Sequence, residues 1–125
     1  MSQPTVFIIE DDVDTRDMIG RFLELEGFRV ETAANGRQAL ERLDAGTRAC
    51  VILLDLMMPV MDGWEFRRQQ ASHARIADIP VIVFSAAGRD RIEQVEANDY
   101  ISKPVDLDEL LDRVTRFCPP DWRRR

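Results

Sequence analysis

Short apolar runs recur along the chain, separated by stretches in which apolar residues return every three or four positions. The runs are Val6–Ile9, Phe28–Ala33, Val51–Leu54, Val81–Phe84 and Tyr100–Ile101. Those at Val6, Val51 and Val81 are continuous, the pattern of strands buried on both faces. Between the runs lie helical patterns. Met18, Ile19, Phe22, Leu23 and Leu25 form the apolar face of a first helix, with Gly27 where a C-terminal cap belongs. A second, from about Arg37 to Leu43, groups Ala39, Leu40 and Leu43 and is followed by Gly46. A third begins near Gly63 with Trp64, Phe66 and Arg67. A fourth, Arg89 to Glu96, is weakly amphipathic, with Ile92, Val95 and the adjoining Ala97 as its apolar residues. The fifth is sharp: Leu107, Leu110, Leu111, Val114 and Phe117, opened by Asp106 as an N-cap and stopped by Pro119-Pro120. Five strands alternating with five helices predict an α/β domain, a parallel sheet with helices on both faces and right-handed crossovers.

Composition narrows this picture. A chain of 125 residues suits one domain and can bury a core without staples. Its 45% hydrophobic and 32% charged residues are an ordinary globular mix. The run Val51–Leu54 is far too short to span a bilayer. Met1-Ser2-Gln3-Pro4 lacks the features of a signal peptide, so a cytoplasmic location is expected. A net charge of −6 argues against direct nucleic-acid binding by the domain. The terminal Arg123-Arg124-Arg125 reads as a solubilising tail. Cys50 and Cys118 sit at the ends of apolar runs and read as small buried hydrophobes. With no CxxC spacing and His73 as the only histidine, a zinc site or a histidine-based catalytic site has little to build on.

The polar residues at the ends of the apolar runs change the picture more. Val6–Ile9 leads into Glu10-Asp11-Asp12, Val51–Leu54 into Asp55, Val81–Phe84 into Ser85, and Tyr100-Ile101-Ser102 into Lys103-Pro104. In a parallel sheet these are all C-terminal strand ends, and they gather at the edge where open α/β sheets bind ligands. Each residue has a bland reading by itself. Asp55 could be a turn residue, Asp12 or Asp14 the cap of the first helix, Ser85 a small polar residue, and Lys103 a surface lysine. Together, Glu10, Asp11 and Asp55 crowd three carboxylates that repel one another. One lysine cannot neutralise them, whereas a divalent cation can. Hard oxygen donors without histidine or thiolate suit Mg²⁺. Lys103 and the Ser85 hydroxyl suit the oxygens of a phosphoryl group, giving the parts for phosphoryl transfer to a carboxylate.

These residues resemble the receiver domain of two-component response regulators, with the fold of the single-domain chemotaxis response regulator. The likeness runs from about Val6 to Phe117. It rests on the segments Val6-Phe-Ile-Ile-Glu-Asp-Asp12, Ile52-Leu-Leu-Asp-Leu-Met-Met-Pro-Val-Met-Asp-Gly63, Val81-Ile-Val-Phe-Ser-Ala86 and Asn98-Asp-Tyr-Ile-Ser-Lys-Pro104. The resemblance implies a doubly wound, flavodoxin-like sheet of order 2-1-3-4-5, with a receiver domain over 1–118 and a short tail over 119–125. It implies that Asp55 accepts phosphate and that Glu10 and Asp11 bind Mg²⁺ directly or through water. Met57 would offer the metal its backbone carbonyl. Ser85 would be the switch hydroxyl, Lys103 the phosphoryl-pairing lysine, and the Lys103–Pro104 peptide often cis. Tyr100 matches the aromatic that rotates between outward and inward positions, although large aromatics also serve simply to cover a core. The implied partners are a histidine kinase or histidine phosphotransfer protein and a downstream protein that the sequence does not name. No membrane partner is expected. Catalysis would be limited to the domain's own phosphorylation and slow dephosphorylation.

Two departures stand out. The interval from Ser85 to Lys103 is short by about four residues, roughly one helical turn, and Glu96-Ala97 replaces the usual Gly-Ala. A shortened fourth helix, and with it an altered output face, is the expectation. Glu10 stands where an Asp is often found and can still ligate a cation. A phosphorylation-independent interaction module on the same fold is the main alternative, but the full set of site residues argues against it. A phosphatase of the haloacid dehalogenase type would need a second Asp where Met57 stands, and no Gly-x-x-x-x-Gly-Lys-Ser/Thr stretch exists for a P-loop. Trp64 and Trp122 carry no assignable role. After Phe117 only eight residues remain, so no output domain is visible, which leaves a stand-alone regulator or a piece of a larger protein.

Overall fold

A computed structural model of the chain describes residues 4–56, 60–86 and 97–118. Five parallel strands form one sheet in the order β2-β1-β3-β4-β5. They are β1 (Thr5–Ile9), β2 (Arg29–Ala33), β3 (Val51–Asp55), β4 (Val81–Ser85) and β5 (Asp99–Ser102). Four helices are described: α1 (Val13–Leu25), α2 (Gly36–Asp44), α3 (Gly63–Ala71) and α4 (Leu107–Phe117). The expected helix between β4 and β5, together with its proposed shortening, lies outside the described residues. So do Met57, Trp122 and the terminal arginines.

The three continuous runs became the three central strands, and alternation sorts their side chains between two cores. Phe7, Ile9, Ile52, Leu54, Val81 and Val83 join Ala39 and Leu43 of α2 and Phe66 of α3. Val6, Ile8, Val51, Leu53, Ile82 and Phe84 join Ile19 and Leu23 of α1 and Leu110 and Val114 of α4. Each helix starts on a side chain that accepts from its first-turn amides: Asp12, Asn35, Asp62 and Asp106. Asp12, not Asp14, therefore caps α1, through the Thr15 amide at 3.0 Å.

Gly63 opens α3 in tight quarters. A Cβ there would lie 2.6 Å from the Leu56 side chain and 2.7 Å from its Cα. The Gly63 amide donates to the Leu56 carbonyl at 3.0 Å, so the start of α3 lies against the residue after Asp55. Only a residue without a side chain permits that approach.

Cys50 and Cys118 require a correction. Their apolar surroundings are as expected: Cys118 is buried in the α1/α4 core and Cys50 packs against it. They are not separate thiols, however, but one disulfide with Cα atoms 5.6 Å apart. The pairing spans 68 positions of sequence, so only the fold reveals it.

Candidate functional site

Strand register assembles the polar edge. β1 and β3 pair Ile9 with Leu54, so the next residues, Glu10 and Asp55, lie side by side. β3 and β4 pair Asp55 with Phe84, which puts Ser85 one step beyond on the neighbouring strand. β4 and β5 pair Ser85 with Ser102, which brings Lys103 to the same edge, and the Lys103 amide donates to the Ser85 carbonyl at 3.1 Å. The Lys103–Pro104 peptide is cis.

Glu10, Asp55 and Ser85 are all buried. Glu10, Asp11 and Asp55 each offer a carboxylate oxygen within 4.8 Å of the others. Lys103 answers two of them: its Nζ donates to Glu10 Oε1 at 2.8 Å and to Asp55 Oδ2 at 3.3 Å. The same ammonium stands 5.3 Å from the centroid of the Phe84 ring, a favourable position for a cation. Three ionised carboxylates facing one ammonium leave an excess of two negative charges, which one divalent ion would balance.

The protonation behaviour of the cluster reflects that excess. The Asp11 carboxyl is raised above its ordinary value by burial, by its hydrogen bond with Glu10 and by the charge of Glu10. Burial pulls the Lys103 ammonium down. The hydrogen bond to Glu10 and the charges of Asp55 and Glu10 outweigh that pull and raise its pKa. Lys103 is therefore a firm cation, while Asp11 holds its proton longer than usual.

Two further contacts were not legible in the sequence. Arg16 of α1 donates from Nη1 to the Glu10 carbonyl at 2.9 Å, and the Asp12 amide donates to Glu10 Oε2 at 3.2 Å. Both hold the β1–α1 loop that presents Glu10 and Asp11. The Arg16 contact spans six residues, and an arginine on an exposed helical turn gives no signal of it. Tyr100 lies on β5 with its ring partly exposed. Its hydroxyl accepts from the Ala97 amide at 3.3 Å, and its carbonyl accepts from Arg113 of α4 at 3.3 Å.

A five-stranded doubly wound sheet with an acidic cluster and one lysine at its C-terminal edge defines a receiver domain. The family model of the response regulator receiver domain matches residues 6–115, and the chain belongs to that family. It is 42% identical over 118 residues to the transcriptional regulatory protein PrrA of Mycobacterium leprae, covering 91% of this chain and 49% of that protein. The structure superposes on the chemotaxis protein CheY4 of Vibrio cholerae with a TM-score of 0.85 at 29% identity, covering 93% of this chain and 99% of that one. The receiver domain of the sensor histidine kinase PA1611 of Pseudomonas aeruginosa matches with a TM-score of 0.84 at 29% identity. The match covers 94% of this chain and 98% of that one, whose structure has a magnesium ion coordinated in the active-site cleft. The chain spans about half the length of PrrA and of other curated regulators it matches.

This protein is thus a signalling switch domain of a two-component system, and a phosphorylation-independent module is not the favoured reading. Receiver domains interact with histidine kinases. No described helix is long and apolar enough to cross a membrane.

Proposed function

We propose that Asp55 is the phosphoacceptor, taking its phosphoryl group from the phosphohistidine of a kinase or phosphotransfer protein. The observation that carries this is the position of its carboxylate. It is buried at the end of the central strand, with Lys103 Nζ 3.3 Å away and two further acids beside it. A carboxylate oxygen of Asp55 attacks phosphorus, and the bond to the donor imidazole breaks as the acyl phosphate forms. Lys103 neutralises charge on the phosphoryl oxygens, and the Ser85 hydroxyl donates to one of them. Glu10 and Asp11 would hold Mg²⁺ together with Asp55 and the Met57 carbonyl. The fit rests on the donor set: clustered hard oxygens with an excess of two negative charges. The bound ion would neutralise the phosphoryl oxygens during in-line transfer.

After transfer, Ser85 moves to meet the phosphoryl group, Tyr100 rotates from its outward to its inward position, and the new charge biases two arrangements of the β4–β5 face. The experiment is incubation with Mg²⁺ and acetyl phosphate followed by intact-mass measurement. One phosphate adduct is expected on the native chain and none on Asp55→Asn. An adduct of equal yield on Asp55→Asn would move the acceptor elsewhere.

A further inference from the structure

The opposite edge of the sheet holds chemistry that phosphoryl transfer does not use. Cys50 immediately precedes β3 and Cys118 is the C-cap of α4. Cys118 is 1% exposed, whereas Cys50 is only partly buried. Of the two residues, Cys50 is the less buried and so the nearer to an approaching thiolate.

Both oxidation states suit the site. The Cys50 amide donates to the Thr5 carbonyl at 2.9 Å, and Cys50 Sγ lies 3.1 Å from the same oxygen. A reduced Cys50 thiol therefore has its acceptor in place, and opening the disulfide strands no buried donor there. Reduced Cys118 would remain in the α1/α4 core as a small hydrophobe.

The bond has a definite mechanical position. Leu110, Val114 and Cys118 are spaced at four-residue intervals along one stripe of α4, and all three are buried. The first end of α4 is fixed by the Asp106 cap and the middle by the ion pair of Arg113 with Asp99 of β5. The last turn carries no glycine cap. It ends on Cys118, whose amide donates to the Val114 carbonyl at 2.8 Å. The disulfide is the covalent hold on that turn, and helix ends fray first when such holds go.

We propose that Cys50–Cys118 is a reversible thiol–disulfide site, opened and closed by a dithiol partner, that sets how firmly the last turn of α4 is held on the sheet. A thiolate of the partner attacks Cys50 Sγ and expels the Cys118 thiolate, which takes a proton. The partner's second thiolate then attacks the mixed disulfide, closes its own disulfide and releases Cys50, which is protonated in turn. Two electrons pass from the dithiol to the protein pair. Reduced thiol pools open such bonds and oxidising compartments keep them, so the state of α4 follows the surrounding redox poise. The proposal stands independently of Asp55.

The test equilibrates the full chain in glutathione buffers from oxidising to strongly reducing, traps thiols with a maleimide mass tag and measures intact mass. No tags are expected at the oxidising end and two at the reducing end, appearing together in the native monomer. Reduction should lower the melting temperature by about 10 °C and speed amide exchange at 114–118 roughly tenfold or more, as expected for a released helix end, with β1 and β3 unchanged. Cys50→Ser, whose hydroxyl can donate to Thr5, should melt like the reduced chain in every buffer. A bond that survives the reducing end in folded protein would overturn the switch in favour of a fixed staple. Tags on both cysteines in the oxidising buffer would overturn the pairing, and unchanged exchange at 114–118 would overturn the link to α4.

Discussion

The two edges of the sheet are built by opposite means. At the C-terminal edge, buried Glu10 and Asp55 are held by a shared lysine, and Asp11 adds a third carboxylate beside them. At the N-terminal edge, apolar packing is closed by a covalent bond between Cys50 and Cys118. The first edge is electrostatically incomplete by itself and so is poised to respond to a cation or a phosphoryl group. The second is complete in itself and responds only to electrons.

Removing Lys103 should break the first edge most severely. Lys103→Met leaves Glu10 and Asp55 buried without their cation, a loss on the order of 3–5 kcal/mol for a broken buried pair. Urea unfolding should show it, and millimolar Mg²⁺ should restore more stability to this variant than to the native chain. Phosphorylation by acetyl phosphate should slow by roughly a hundredfold, the scale of losing one preorganised charge partner. Native-like stability of Lys103→Met in the absence of metal would mean that the lysine does not hold this edge.

The same edge depends on close backbone packing. Gly63→Ala drives a Cβ into Leu56, the residue after Asp55, and should cost about 1–3 kcal/mol as an overpacked site. Because Leu56 must shift, the phosphorylation rate should fall as well. An alanine variant that melts normally would show that the loop after β3 can move aside cheaply.

One edge was legible and the other was not because sequence encodes them differently. Glu10, Asp55, Ser85 and Lys103 each end an apolar run, and parallel strands must bring such ends together. The continuous runs and the Asp106 cap likewise placed β1, β3, β4 and α4 closely. The direct grip of Lys103 on Glu10 depends on side-chain reach rather than on spacing, as does the Arg16 contact. Cys50 and Cys118 looked like hydrophobes because their neighbours are hydrophobic. Their pairing depends on where α4 ends relative to the start of β3, which no local pattern records.

A milder change should sharpen the contrast. Val60 has φ of +72°, a conformation unfavourable for a β-branched residue, and its side chain is exposed. Val60→Gly relieves that strain but loosens the unfolded chain, leaving a net gain of about 0.5–1 kcal/mol. Its melting temperature should rise slightly in oxidised and reduced protein alike. A gain confined to one redox state would tie the two edges together.

The smallest expected effect tests whether charge crowding is confined to the polar edge. The Asp11 carboxyl is raised above 3.8 by burial, by its hydrogen bond with Glu10 and by the charge of Glu10. A carboxyl that binds its proton more tightly when folded favours the folded state at low pH and loses that advantage as pH climbs from about 4 through the folded value. Lys103 acts at the other end of the scale. Its raised pKa contributes stability that is fully present below 10.5 and disappears as pH rises through the folded value. Without metal, native stability minus that of Asp11→Asn should therefore fall as pH climbs from about 4 through the folded value. Millimolar Mg²⁺ should remove the difference at neutral pH, because the cation answers the charge that Asp11 adds. Cys50→Ser, altered at the far edge, should keep the native pH profile in shape. Parallel urea midpoints for the native chain and Asp11→Asn from about pH 4 to 7 without metal would remove repulsion among these carboxylates as the reason this edge needs a cation.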